Sequence, residues 1–285
     1  MDQVKKSVRA LKEHPVLLLP IYIARLLPAL LGVLIFQQIS DDLINMLSVE
    51  EIGETQYVLE NYGQVTRDFL EANQSFILAS LLIALLGLLL SFVAVPATYG
   101  MARALLVNHE KPAPSDILPK AGKYFGRYLL FRICQLALWI FALIFAGAAT
   151  GVLIFLGSLA DQGLALLLGL LAVVFFFIAG LLLNLIIKLW FPGMVLKEIG
   201  VLEGLQQAFI KSKILFWPLA AGFLVIRILA WIANMIVGLF VGDIPYLDPL
   251  LSNVIPAIAA TLLILFYMGL YLSTEKELVN GEESG

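Results

Sequence analysis

FILASLLIALLGLLLSFVAVPATYGMA, residues 76–102, contains no charged side chain and no alternation of polar with apolar positions. A hydrocarbon core of roughly 30 Å needs about 20 apolar residues per crossing helix, so this run is long enough to span a bilayer. Searching outward, five further stretches have comparable length and almost no charge: 16–37, 128–156, 164–191, 216–241 and 254–272. A transmembrane barrel would require short segments alternating with period two, which segments such as LLIALLGLLLSFVAV (81–95) do not have. The composition agrees: 61% of the 285 residues are hydrophobic and only 14% charged, with mean hydropathy +0.97, more apolar surface than one water-soluble core can cover. The expected fold is therefore all-α, a polytopic membrane protein with six transmembrane helices in a single domain.

Lys5, Lys6, Arg9 and Lys12 precede the first apolar run, as in a cleavable signal peptide. The run is too long for that reading, holds Pro20, Arg25 and Pro28, and is followed by IFQQISDD rather than small residues, so it is expected to be retained. The lone cysteine, Cys134, falls within the third run and offers neither a disulfide framework nor a metal site. A net charge of −3 and a pI near 5.5 give no reason to expect nucleic acid as a partner.

The distribution of charge is more informative than its sum. Nearly all of the 18 Lys and Arg lie on one side of the predicted spans: Lys5, Lys6, Arg9 and Lys12; Arg103, Lys111, Lys120, Lys123 and Arg127; Lys188, Lys197, Lys211 and Lys213; and Lys276. Arg67 alone lies on the other. This bias predicts both termini in the cytoplasm and residence in the cell membrane. Aromatic residues Tyr124, Tyr128, Trp190, Phe191, Trp217 and Tyr271 cluster at the same boundary, where amphipathic rings favour the headgroup layer. The first outer loop, 40–74, is acidic (Asp41, Asp42, Glu50, Glu51, Glu54, Glu60, Asp68, Glu71), and its apolar residues recur at helical intervals, predicting one or two amphipathic helices over the bundle. The tail, 274–285, is polar.

A unit of one amphipathic segment and two spans recurs three times, over about 1–107, 114–191 and 201–273. Its segments place Val4, Val8 and Leu11; Ile117, Leu118, Ala121, Tyr124 and Phe125; and Leu202, Leu205, Ala208 and Phe209 on apolar faces flanked by cations. Such helices suit a membrane interface bearing anionic lipid, or else simply fix helix entry angles. HEKPAPSD (109–116) and FPGMVLKEIG (191–200) are expected to break helices between units.

Within KLWFPGMVLKEIGVLEGLQQAFIKSKILFWPLAAGFLVI (188–226), Trp190-Phe191-Pro192 closes a span, 201–213 forms an amphiphilic helix, and Phe216-Trp217-Pro218 opens the next span. This pattern resembles the membrane domain fused to some bacterial glycerophosphodiester phosphodiesterases, and its stand-alone bacterial and archaeal relatives. Residues 99–133 are similar to the preceding unit of that family. The resemblance implies the fold and membrane residence, with transport, lipid handling or support of partner proteins as the associated roles. It carries over no catalytic residue, since no phosphodiesterase domain is present.

Ionisable groups inside a bilayer are costly and are default functional candidates. Arg25, Arg132 and Arg227 each sit on the first span of a unit; no Asp or Glu lies in any span, so Gln135, Asn184 and Asn234 are the polar side chains left to meet them. An incoming anion would supply the missing counter-charge. Arg25, Arg132 and Arg227, with Asn184 as a hydrogen-bonding wall, are therefore the expected anion- or lipid-binding residues; the alternative is that the arginines snorkel or bridge helices through carbonyls. Pro96 with Gly100 is expected to kink the second span, and Gly147 and Gly151 to permit close helix packing. The motifs GxSxG, HExxH, the Walker loop and the dinucleotide fingerprint are missing, and His14 and His109 have no ligand-spaced neighbours. The expected protein is not an enzyme and uses no cofactor or metal. It binds or transports an anionic lipid or small solute, or it assembles with membrane-protein partners or with itself.

Overall fold

A computed structural model describes residues 2–46, 74–241 and 247–282. Among these there is no strand, and six helices are long and apolar enough to cross a membrane. The amphipathic α1 (Asp2–Glu13) leads through a 3-10 turn at Pro15–Leu18 into α2 (Leu19–Met46). The others are α3 (Gln74–Asn108), α4 (Ile117–Ser158), α5 (Gln162–Lys197), α6 (Val201–Val241) and α7 (Leu247–Glu282). Consecutive helices pack on one another from α2 to α7, and α7 also touches α1, α2, α3 and α5. It is the central element. Inside the protein, 61% of its most apolar stretch is buried, against 17% or less for the other five spanning helices.

The packing is concentrated at the end of the bundle where α1 lies. Buried side chains occupy residues 94–104 of α3, 121–131 of α4, 187–196 of α5 and 257–271 of α7. The Phe191 ring lies 4.9 Å from Tyr99, 5.0 Å from Tyr128 and 5.3 Å from Phe131, and Phe131 meets Trp190 edge-on at 5.2 Å. Edge-to-face geometry sets positive ring edges against negative faces. The Trp190 indole Nε1 donates to the Val201 carbonyl at 2.7 Å, tying α5 to the first residue of α6. Gly100 lets α4 come close to α3, since a Cβ there would stand 2.8 Å from Lys120 Cβ and 3.0 Å from the Tyr124 ring.

Several boundaries differ from expectation. Residues 117–127 and 201–213 are not separate interfacial helices but the first turns of α4 and α6. Only α1 is set apart, because Pro15 cannot donate the backbone hydrogen bond that would extend the helix. FPGMVLKEIG does not break at Pro192: α5 runs through Pro192-Gly193 to Lys197, held there by burial of both residues, with Gly193 flat against the Tyr271 ring. It ends at Glu198, whose φ of 57° is left-handed. Finally, part of the polar tail continues α7 to Glu282. In the acidic outer loop, 40–46 prolong α2, while the amphipathic helices expected in its remainder lie outside the described residues.

Candidate functional site

A cavity of about 420 Å³ opens where all six spanning helices meet. On α2, Ile21, Ala24 and Arg25 face it with i, i+3, i+4 spacing, and on α7 so do Ala260, Leu263, Ile264 and Tyr267. Arg132 enters from α4, Lys188 from α5 and Arg227 from α6, while α3 contributes Ser91 and Tyr99. The three arginines proposed from sequence thus share one site. Lys188 joins them, although its position near a span end suggests only a topology signal. Asn184, one turn before Lys188 on α5, is not among the lining residues.

The cations form an electrostatic series. Arg227 lies within coulombic reach of both Arg25 and Lys188, and Lys188 within reach of Arg132. Arg132 Nε donates to the Tyr128 hydroxyl at 2.8 Å and its Nη1 to Gln135 Oε1 at 3.1 Å, and the guanidinium lies 5.1 Å from the Tyr128 ring centre. Those partners are neutral. Among the described residues no carboxylate pairs with Arg25, Arg132, Lys188 or Arg227. Arg25, Arg132 and Arg227 all retain accessible surface, so the site is open rather than sealed. Tyr267 is 3% exposed, and its buried hydroxyl has no hydrogen-bond partner.

By rise per residue, Lys188 and Arg132 lie roughly 5 Å inside the predicted span ends, and Arg25 and Arg227 on the order of 15 Å inside. The site therefore descends from the α1 end toward the middle of the predicted spans. Outside the cavity, at the C-terminus of α5, Glu198 accepts from Lys123 Nζ at 2.7 Å and pairs with Arg103 Nη1 at 3.1 Å, joining α3, α4 and the α5 terminus. The hydrogen bond from Lys123, helped by the charge of Arg103, holds the Glu198 carboxyl below its ordinary value. A second ionic group surrounds Glu275, which pairs with Lys197 at 2.7 Å and with the buried Lys211 at 3.4 Å.

Two other cavities are apolar. One of about 200 Å³ lies between α1, α6 and α7 under Val4 and Val8. The other, about 880 Å³ between α4 and α5, is lined by Gly147, Gly151, Gly180, Phe145 and Phe176. No group of His, Cys, Asp and Glu suited to a metal ion occurs among the described residues. No protein-family profile, curated protein or solved structure matches the chain.

The cation-lined cavity is the candidate site. Sequence reasoning reached its arginines through their cost in a bilayer but missed Lys188 and Tyr267. For Lys188 the signal was present: it is a charge inside the apolar run 164–191.

Proposed function

We propose that this integral membrane protein binds, and carries into or across the membrane, an anionic lipid headgroup or small anionic solute that enters the cation-lined cavity from the cytoplasm. The observation that supports this reading is the meeting of Arg25, Arg132, Lys188 and Arg227 in one open cavity with no paired carboxylate among the described residues. Guanidinium and ammonium groups at membrane depth need anionic or dipolar partners, and an arriving anion stabilises all of them together. The cavity volume lies within the range of small-ligand sites. Lys and Arg gathered at the α1 end support cytoplasmic termini and a cell-membrane location. The threefold recurrence of amphipathic segment and hairpin, and the likeness of 188–226 to the membrane domain of bacterial glycerophosphodiester phosphodiesterases, agree with a lipid-handling role without catalysis.

The test is native mass spectrometry of the protein extracted from vesicles containing phosphatidylglycerol. The wild type retains anionic lipid, and the Arg25→Gln/Arg227→Gln variant loses it while its helical circular dichroism and elution volume stay unchanged. Equal retention by both proteins would discard the reading.

A second reading, assembly with another membrane protein or a second copy, is favoured by the open α4–α5 groove. A Cβ placed on Gly147 or Gly151 would meet nothing within 4 Å, which leaves room for a helix to approach. Cross-linking in native membranes between cysteines placed at Gly147 and a neighbouring chain would support it.

A further inference from the structure

We infer that the cavity selects a phosphate group bearing two or more negative charges, a phosphomonoester or a diphosphate, over singly charged anions such as carboxylates and phosphodiesters. The inference rests on the anion-binding reading above and specifies the class of ligand.

Charge favours such a ligand first. One negative charge can neutralise one cation, yet Arg25, Arg227, Lys188 and Arg132 follow one another within coulombic reach along the cavity. A monoanion seated between the deep pair, Arg25 and Arg227, leaves Lys188 and Arg132 without a counter-charge. A phosphomonoester carries about −1.5 to −2 at pH 7 on three acceptor oxygens, and a diphosphate spreads more charge over a greater length.

Donor chemistry favours it as well. The cationic groups all donate, and guanidinium forks match phosphate oxygens in bidentate fashion. To them the cavity adds Tyr267, whose hydroxyl lacks any partner although its residue is 3% exposed, and which lies within coulombic reach of Arg227. A buried phenol without an acceptor is costly, and a phosphate oxygen beside Arg227 would satisfy it. Tyr99, on the same wall, is a further phenol.

The shape of the cavity adds a requirement. Ile21, Ala24, Val95, Leu263 and Ile264 provide apolar wall beside the donors, so the phosphate enters attached to, or accompanied by, an apolar group. Both a lipid phosphate and a soluble phosphate ester fit that description.

The experiment uses the full chain in nanodiscs of phosphatidylcholine and measures retention by native mass spectrometry and thermal stability. The lipid arm compares phosphatidic acid with phosphatidylglycerol, and the soluble arm compares inorganic pyrophosphate with dimethyl phosphate. Preference for phosphatidic acid over phosphatidylglycerol, or for pyrophosphate over dimethyl phosphate, by about tenfold is expected, and the arm showing it identifies the source. Lys188→Gln reduces that preference, and Tyr267→Phe weakens the doubly charged probe by roughly threefold to tenfold while leaving the singly charged one unchanged. Equal binding of singly and doubly charged probes, lost in Arg25→Gln/Arg227→Gln, would overturn this inference and leave the anion-binding reading standing. Absence of binding by every probe would overturn both.

Discussion

The two ends of the bundle are built on opposite principles from nearly the same residue types. At the α1 end, aromatic rings interlock around Phe191, helices approach through Gly100 and Gly193, and buried residues are continuous from α3 to α7. Away from it, α4 and α5 meet closely only at small residues such as Gly157 and Ala165, leave Phe141, Phe155, Leu166 and Phe175 exposed, and flank an apolar groove. In water the second arrangement would be untenable; beside acyl chains, which are as apolar as leucine, the exposed residues cost nothing. Interlocking is densest at the end that also houses the cations. A fixed scaffold is what a set of unpaired donors requires if they are to keep their places before the ligand arrives.

The largest expected effect exploits that contrast. Trp190 is 1% exposed and hydrogen-bonded to Val201, so Trp190→Ala opens a cavity and removes the tie between α5 and α6, costing about 3–5 kcal/mol. Phe175 is 66% exposed, and Phe175→Ala should change stability by no more than about 0.5 kcal/mol. Unfolding of both variants in one detergent compares them directly. Equal losses would mean that the distal half is as tightly packed as the proximal one, and the contrast between the two ends would fall.

Glycine substitutions sharpen it further. A methyl group at Gly100 presses on Lys120 Cβ and the Tyr124 ring, so Gly100→Ala should cost about 1–3 kcal/mol by overpacking. At Gly147 a Cβ meets nothing within 4 Å, and Gly147→Ala should be neutral or stabilise by up to about 1 kcal/mol through helix propensity. Destabilisation at Gly147 as large as at Gly100 would show that another helix fills the α4–α5 groove.

A smaller effect separates stability from binding. Arg227 repels Arg25 and Lys188, so Arg227→Gln should leave the ligand-free protein as stable as the wild type, or more stable by less than about 1 kcal/mol, while removing stabilisation by added anion. Thermal scans with and without pyrophosphate check both expectations. A ligand-free variant markedly less stable than the wild type would assign Arg227 to helix bridging.

Much of this contrast could be read from sequence, and the unread part has definite causes. The six apolar runs mark the helices because length and lack of charge are local properties. Arg25, Arg132 and Arg227 stood out because charge in an apolar run is also local, but their convergence depends on which face each helix turns inward, and that is decided by partners distant in sequence. Lys188 sits three residues before Phe191, close enough to the predicted span end to pass as a flanking cation. Tyr267 lies among apolar neighbours in LILFYMGLY and nothing local marks its hydroxyl as unpartnered. Asn184 was a reasonable choice on chemistry, yet it is Lys188, one turn on, that lines the cavity. The amphipathic segments 117–127 and 201–213 showed their stripes correctly; no residue between them and the following spans stops the helix, so each merges with its span.

The smallest effect concerns the ionic clasp at the α5 terminus. Glu198 is held ionised by Lys123 and Arg103, with its folded-state carboxyl titrating below the ordinary 4.5. A group lowered in this way stabilises the folded protein fully above that ordinary value, and the contribution disappears as pH falls through the folded value. Because the carboxyl is 38% exposed, solvent screening limits the gain to less than about 1 kcal/mol. Glu198→Gln keeps the left-handed backbone strain at this position and removes only the charge, so the difference in melting temperature between variant and wild type isolates the ion pairs. That difference should be greatest at about pH 6–7, shrink below the ordinary 4.5, and shrink also in about 1 M salt, where screening reaches within about 3 Å. A difference that persists unchanged at low pH would assign the loss to the geometry of the α5 terminus instead of to charge.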